Sequence, residues 1–263
     1  MPDPIITLTT DFGTSDHFVG AMKGVILSIA PRASIIDITH DVQAFDVTEG
    51  AFAISQAYPY FPKKTIHVVI VDPGVGSARR PLLVEMAGQY FIAPDNGVLS
   101  MVYRREKHKV RHITAERYFR QPVSPTFHGR DIFSPVGAHL AAGIPPARFG
   151  KLIQDHVRLT LDQPTQTGKR TWTGAVLRVD RFGNLITSFH IEAFAGVATR
   201  PFEIAIGFEK LTRLAQTFSD GQPGELMIVI GSSGFLEVAA NQASAAKLLG
   251  CAAGSPVELT LYS

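Results

Sequence analysis

A change of pattern between Gln154 and Lys169 constrains the fold of this chain more than any other feature. Before it, short β-branched runs alternate with stretches of helical spacing. After it come short β-rich runs, most of them separated by glycine. Strands alternating with helices imply a mostly parallel sheet covered on both faces, whereas closely spaced short strands imply a small all-β barrel or sandwich. The intervening segment is dominated by Thr, Gln, Asp, Pro and Gly, which reads as a linker. At 263 residues there is room for two modest domains. The expected organisation is an α/β N-terminal domain over 1–155, a linker over 156–171 and a smaller barrel-like all-β C-terminal domain over 172–263, with the change of character near residue 170.

Within the first part, Ile5 to Thr9 reads as a strand ending in Thr10-Asp11-Phe12-Gly13. Val19, Met22, Val25, Ile26 and Ile29 follow at helical spacing and stop at Pro31. Ser34 to Thr39 is a second strand. Asp46 with Glu49 resembles a capping box, opening a helix that places Val47, Ala51, Ile54 and Tyr58 on one face. Ile66 to Val71 is a third strand, cut off by Asp72-Pro73-Gly74. Leu82–Met86 and Tyr90–Ala93 read as a hairpin pair, and a last helix runs from about Asp131 to Ala142. In the second part the β-rich runs are Gly174–Val179, Leu185–Ser188, Glu203–Ile206, Leu226–Ile230, Phe235–Val238 and Val257–Leu261.

Composition excludes several classes. A net charge of +2 argues against a general nucleic-acid binder. A single cysteine, Cys251, permits neither an internal disulfide nor a cysteine metal cluster and suits a reducing, cytoplasmic setting. The opening MPDPIITLTTDFG lacks the pattern of a secretory signal, and no apolar run reaches the ~18 residues of a membrane span. No G-x-G-x-x-G and no P-loop signature is found. His108 and His112 are four apart, but in the basic run from Arg104 to Arg111 they read as a solvated face rather than metal ligands. Gly231-Ser232-Ser233-Gly234 is not a nucleophile elbow.

What remains are polar clusters where strands end, the place where open α/β sheets bind ligands. Asp11 reads either as a helix N-cap or as a carboxylate for a ribose diol. Asp72 sits among turn residues, with the cation Arg79 seven positions on. His128, in Thr126-Phe127-His128-Gly129-Arg130-Asp131, reads as a capping or solvent-facing residue or as one projecting into a pocket. Asp180-Arg181-Phe182-Gly183-Asn184 has ordinary hairpin chemistry. Ser232, Ser233 and Glu237 follow in a glycine-rich turn and its strand.

Taken together, these segments, with Asp37-Ile38-Thr39-His40 and Ala93-Pro94-Asp95-Asn96-Gly97, resemble the SAM hydroxide adenosyltransferases in order and spacing over nearly the whole chain. The resemblance implies hydrolysis of S-adenosyl-L-methionine (SAM) to adenosine and L-methionine, with SAM as substrate and no cofactor. No metal is expected, because the chain has no cysteine cluster and no histidine pair read as ligands, and displacement at a sulfonium-bearing carbon needs no Lewis acid. It implies a homotrimer with SAM held between the N-domain of one subunit and the C-domain of the next. It assigns catalysis to Asp72, Arg79 and His128, with Arg79 preferred to its neighbour Arg80 by spacing. It assigns the ribose to Asp11, the purine to Phe182 and Asn184, the methionine ammonium to Asp180 and the methionine carboxylate to Ser232. Glu237 and Ala239 fall in the segment that lines the adenine.

The family is similar in fold to bacterial fluorinase and chlorinase, which attack the same carbon with halide. Those enzymes carry Tyr, Ser and Thr where this chain has Asp72, Gly129 and Val75, and they have an inserted loop that Gln89 to Thr114 is too short to hold. A carboxylate repels halide, so the differences point to water. The rival readings are a halide-dependent adenosyltransferase and a SAM or adenosine sensor without turnover.

Overall fold

The computed structural model describes residues 3–160 and 163–263, so the two residues at 161 and 162 of the expected linker, and the first two of the chain, lie outside it. The chain divides into two compact units, Met1–Thr160 and Leu161–Ser263. The first contains β1 (Ile5–Thr10), α1 (Phe18–Ile29), β2 (Ser34–Thr39), α2 (Val47–Ala57), β3 (Ile66–Ile70), β4 (Pro81–Met86), β5 (Gln89–Pro94), α3 (Ser100–Tyr103), β6 (His108–His112), α4 (Ser134–Ala141) and β7 (Leu152–Ile153).

Its seven strands are ordered β2-β1-β3-β5-β4-β6-β7. The pairs β1–β2, β1–β3 and β3–β5 are parallel, and β4–β5, β4–β6 and β6–β7 are antiparallel. The sheet is therefore mixed rather than mostly parallel. The reason is the connection after β3, which runs through the Asp72 loop into a hairpin instead of a crossover helix. Ala87 at φ 53 and Gly88 at φ 76 turn that hairpin, the two positive φ values that a tight two-residue turn requires.

Alternation along the strands builds a core on each face. Leu8, Val68, Ile70 and Ile92 pack with Met22 and Ile26 of α1 and Val136 of α4. Val69, Val71, Leu82 and Phe91 pack with Ile54 of α2 and Val102 of α3. Asp46 caps α2 by accepting from the Glu49 N–H at 2.9 Å. The Glu49 carboxylate turns instead to the Gln43 N–H, so the expected box forms only by half.

Before α4 the chain makes a π-turn over Gly129–Phe133. Pro135 has no N–H to give to the Asp131 carbonyl, which accepts from the Arg120 N–H at 2.8 Å instead. The regular helix thus starts later than its sequence suggests.

The second unit contains β8 (Thr165–Gly168), β9 (Thr171–Val179), β10 (Leu185–His190), β11 (Phe202–Ile206), β12 (Glu209–Leu211), β13 (Leu214–Ala215), β14 (Leu226–Ile230), β15 (Phe235–Ala240), α5 (Ala245–Leu249) and β16 (Pro256–Leu261). They form one nine-stranded sheet, β12-β11-β16-β9-β10-β15-β14-β13, with β8 on β9. β12 at one end contacts β14 near the other, so the sheet curls into a half-barrel. Phe189, Ile204, Leu236 and Leu259 fill its inside. No helix among the described residues is long and apolar enough to cross a membrane.

Candidate active site

The ends of β1 and β3 set the first group of side chains. These strands are parallel neighbours with Thr10 opposite Ile70, so Asp11 and Asp72 leave the same edge of the sheet. Arg79 folds back onto Asp72. Its Nε lies 3.0 Å from both carboxylate oxygens and its Nη2 lies 2.5 Å from Oδ2. The same Nη2 donates to His128 Nδ1 at 2.7 Å. The pair is nearly dry, with side-chain exposures of 9% for Arg79 and 5% for Asp72, and the guanidinium lies over the Phe133 ring.

Two features hold this constellation. Gly76, at φ 78, leaves no room for a Cβ beside the Pro125 carbonyl oxygen, so the Asp72 loop lies close against the His128 loop. Asp131, fully buried, is paired with Arg130 and Arg120 and accepts from the Ser124 N–H, so it ties down both sides of His128. Burial, with the Arg79 charge second, keeps the His128 pKa below its usual value. A neutral imidazole that accepts at Nδ1 carries its proton on Nε2. Asp72 and His128 are thus both engaged by one guanidinium, with no strong base left over.

The adjacent Arg80 points elsewhere. It bonds Asp95 at 2.8 Å, the Asp155 carboxylate at 2.9 Å and the Asp155 carbonyl at 2.8 Å. Asp95 Oδ1 also accepts from the Val157 N–H, and Ser100 Oγ from the Leu159 N–H. Residue 155, the end of the expected first domain, and residues 156–159 of the expected linker are therefore strapped to the first unit. Asp11 is not the cap of α1, a place taken by His17. Its Oδ2 accepts from the N–H of Phe45 at 2.9 Å. Phe45 itself stands at φ 70 with its ring largely exposed.

The second unit carries the other group. The β9–β10 turn is closed by Asp180, whose Oδ1 accepts from the N–H groups of Phe182 and Asn184 and whose Oδ2 accepts from Asn184 Nδ2. Phe182 is 78% exposed and Asn184 is buried. Gly183, at φ 87, approaches Ser244 too closely for any Cβ. On β15, Glu237 lies against Gly231. Burial first, and the Asp180 charge second, raise its pKa. Ala239 is fully buried beside Met227 and Val229. Ser232 is exposed on the turn before β15. His190 holds that turn at the Ser233 carbonyl, 3.1 Å from Nε2.

Sequence reasoning missed Phe133, Asp95 and the bracing roles of Asp131 and His190. An Asp flanked by Arg130, and an aromatic one turn from His128, were the available signals. His108 is not simply solvated: it stacks on Tyr103 at 4.5 Å. Among the described residues no group of three or more His, Cys, Asp or Glu side chains is arranged to hold a metal ion.

Comparison with known proteins places these features in context. Residues 6–150 match the SAM hydroxide adenosyltransferase N-terminal domain and residues 174–258 match the SAM hydroxide adenosyltransferase C-terminal domain. The (R)-S-adenosyl-L-methionine hydrolase of Salinispora tropica is 36% identical over 98% of each chain. A fluorinase from an Actinoplanes species is 29% identical, also over 98% of each. The crystal structure of an uncharacterised conserved protein from Thermotoga maritima superposes with a TM-score of 0.90 at 36% identity, covering 97% of this chain and 99% of that one.

Proposed function

We propose, from the premise that this chain belongs to the SAM hydroxide adenosyltransferase family, that it hydrolyses S-adenosyl-L-methionine to adenosine and L-methionine. The observation that carries the reading is the Asp72–Arg79–His128 constellation beside Asp11, with its ion pair nearly dry and its histidine half-buried, at the strand ends where such sheets bind ligands.

The reaction is a displacement at the ribose 5′ carbon. A carbon–oxygen bond forms as the carbon–sulfur bond breaks, its electron pair passes to sulfur, and one proton is released to solvent. The sulfonium leaves without acid assistance, so the task of the site is to hold one water in line. The desolvated Arg79 charge favours hydroxide character on that water, and the Nε2–H of His128 orients it. Asp72 fixes the guanidinium that serves both. A carboxylate in this place disfavours the halide chemistry of the fluorinase relatives.

Asp11 has lone pairs left for the ribose diol beyond the one given to Phe45. The exposed Phe182 ring offers a stacking face for the purine, and Asn184, its Nδ2 committed to Asp180, offers Oδ1 to the purine amino group. Glu237 is the better anchor for the methionine ammonium, because the Asp180 oxygens already accept three hydrogen bonds. Ser232 faces the methionine carboxylate, and Ala239 supports the wall behind. The two groups of residues would meet on one substrate across neighbouring subunits of a homotrimer. Mixing Asp72→Ala with Asn184→Ala protein then restores activity, and a fully active monomer refutes the shared site.

The decisive experiment is incubation with SAM in isotopically labelled water, followed by chromatography. Adenosine labelled at the 5′-hydroxyl, with unlabelled methionine, is expected. A 5′-halo-adenosine would assign the chain to halide chemistry, and intact SAM would make it a sensor.

A further inference from the structure

The Asp37-Ile38-Thr39-His40 segment takes no part in the chemistry above, yet it forms a polar chain that ends beside Asp11. Lys23 Nζ on α1 lies 2.6 Å from Asp37 Oδ2. His40 Nε2 lies 3.0 Å from Asp37 Oδ1, and His40 Nδ1 lies 2.8 Å from Thr10 Oγ1. Thr10 Oγ1 also accepts from the Phe12 N–H at 3.3 Å. The His40 carbonyl accepts from the Gly13 N–H at 2.8 Å. Thr10 is fully buried and His40 almost so.

These contacts admit a consistent direction. Nε2–H of His40 faces the carboxylate that Lys23 also serves, so Nδ1 is an acceptor. The Thr10 hydroxyl gives its hydrogen to Nδ1 and its lone pair to Phe12. The Thr10 hydroxyl is then satisfied at both its hydrogen and its lone pair, while His40 Nε2 meets Asp37 Oδ1 as a close polar contact without hydrogen-bond alignment. Both ends of the Thr10–Gly13 turn are held by one residue, through side chain at Thr10 and through backbone at Gly13. Asp11 sits inside that turn. A register shift where β1 meets β2, between Leu8 and Thr9, brings the two strand ends into this arrangement.

We propose that His40 is a positioning residue for substrate binding: by pinning the Thr10–Gly13 turn it aims the Asp11 carboxylate at the ribose diol. The inference rests on the assignment of Asp11 to the ribose made above. It predicts that His40 acts through Asp11 and through nothing else in the site.

The test is a double-mutant cycle read by calorimetry with adenosine and by steady-state kinetics with SAM, on the full-length protein. His40→Ala is expected to weaken adenosine about tenfold and raise KM in step, leaving kcat within about twofold, the size of effect expected from one mobile hydrogen-bonding group. Thr10→Val, which removes only the hydroxyl, is expected to do the same. His40→Asn, whose amide oxygen can receive the Thr10 hydroxyl in place of Nδ1, should restore most of the affinity. In an Asp11→Ala background, His40→Ala should change adenosine affinity less than about twofold. An undiminished tenfold loss in that background, or a fall in kcat matching the loss of affinity, overturns the proposal. Should His40→Ala fail to fold, Thr10→Val carries the same cycle. Wild-type protein that neither binds adenosine nor consumes SAM would refute the underlying functional reading instead, so the two failures are distinguishable.

Discussion

Gly76→Ala offers a direct test of whether the Asp72 and His128 loops must be held together. Two effects add. At φ 78 an alanine is strained, by about 1–2 kcal/mol. Its Cβ would also stand 2.4 Å from the Pro125 carbonyl oxygen, and contacts under 3.0 Å are essentially never seen, so the loops must part by at least 0.6 Å. Carried into the site, that displacement takes the 2.7 Å Arg79–His128 contact to the limit of hydrogen bonding. Losing a charged hydrogen bond costs about 1.5–3 kcal/mol, or roughly tenfold to a hundredfold in rate. Chromatographic assay of adenosine release should therefore show kcat down by about that factor. Adenosine affinity by calorimetry should stay within about twofold, since Asp11 is held by other contacts. Gly224→Ala is the control: its φ of 81 is nearly the same, but its Cβ would meet nothing within 4 Å. It should lower stability by a similar strain and leave kcat alone. An unchanged kcat in Gly76→Ala, or equal kcat losses in both variants, would refute the reasoning.

Three further outcomes follow from the same structure. Because the His128 pKa is lowered by burial and by Arg79, the acid limb of kcat/KM should have its midpoint below about 6.5, where protonation removes the acceptor for Arg79; a midpoint above that value contradicts a neutral His128. Glu237→Gln should raise KM for SAM by about tenfold or more while leaving adenosine affinity unchanged, because adenosine has no ammonium; equal losses for both ligands would return Glu237 to the adenine wall. His67, fully buried between Thr7 and Gln89, has its pKa lowered by burial to about 4. Above about pH 6.5 it is neutral folded and unfolded, but on acidification the unfolded chain binds the proton first. Stability should thus fall by up to about 3 kcal/mol between pH ~6.5 and ~4. Denaturant titrations of His67→Phe should show a flatter dependence in that range, and an identical slope would sink the assignment.

Elements with strong periodicity were legible in the sequence. Ser34–Thr39 and Leu226–Ile230 fall where their patterns put them, and α2 buries the face that Ala51, Ile54 and Tyr58 announced. Strand direction was not legible beyond β3, because a hairpin looks the same whether its second strand joins the sheet in parallel or not. The three-residue β12 and two-residue β13 are too short to carry an alternation. In the site, the residues alone left Asp72 and His128 open between turn or cap and pocket, and the family resemblance singled out Asp72, Arg79 and His128; the separate duties of Arg79 and Arg80 depend on Asp95 and Asp155, which are distant in sequence. The protonation of His128 and the raised pKa of Glu237 follow from burial, which no short motif records.

The strap over 155–159 bears on the order in which the chain completes itself during synthesis. The Asp180–Asn184 turn closes through partners at most four residues apart, so it needs little of the chain to take shape. The Arg79–His128 contact spans 49 residues, and the Asp95–Val157 contact spans 62. Until Val157 and Leu159 have emerged, Asp95 Oδ1 and Ser100 Oγ lack the N–H groups that finally occupy them. Arg80, next in sequence to Arg79, lacks Asp155 as well. The last piece of the first unit is thus made just before the second begins, and its docking rigidifies the stretch from which Arg79 reaches Asp72. A fragment ending near residue 150 would lack these partners, whereas one ending at Thr160 retains every bond of the strap described here.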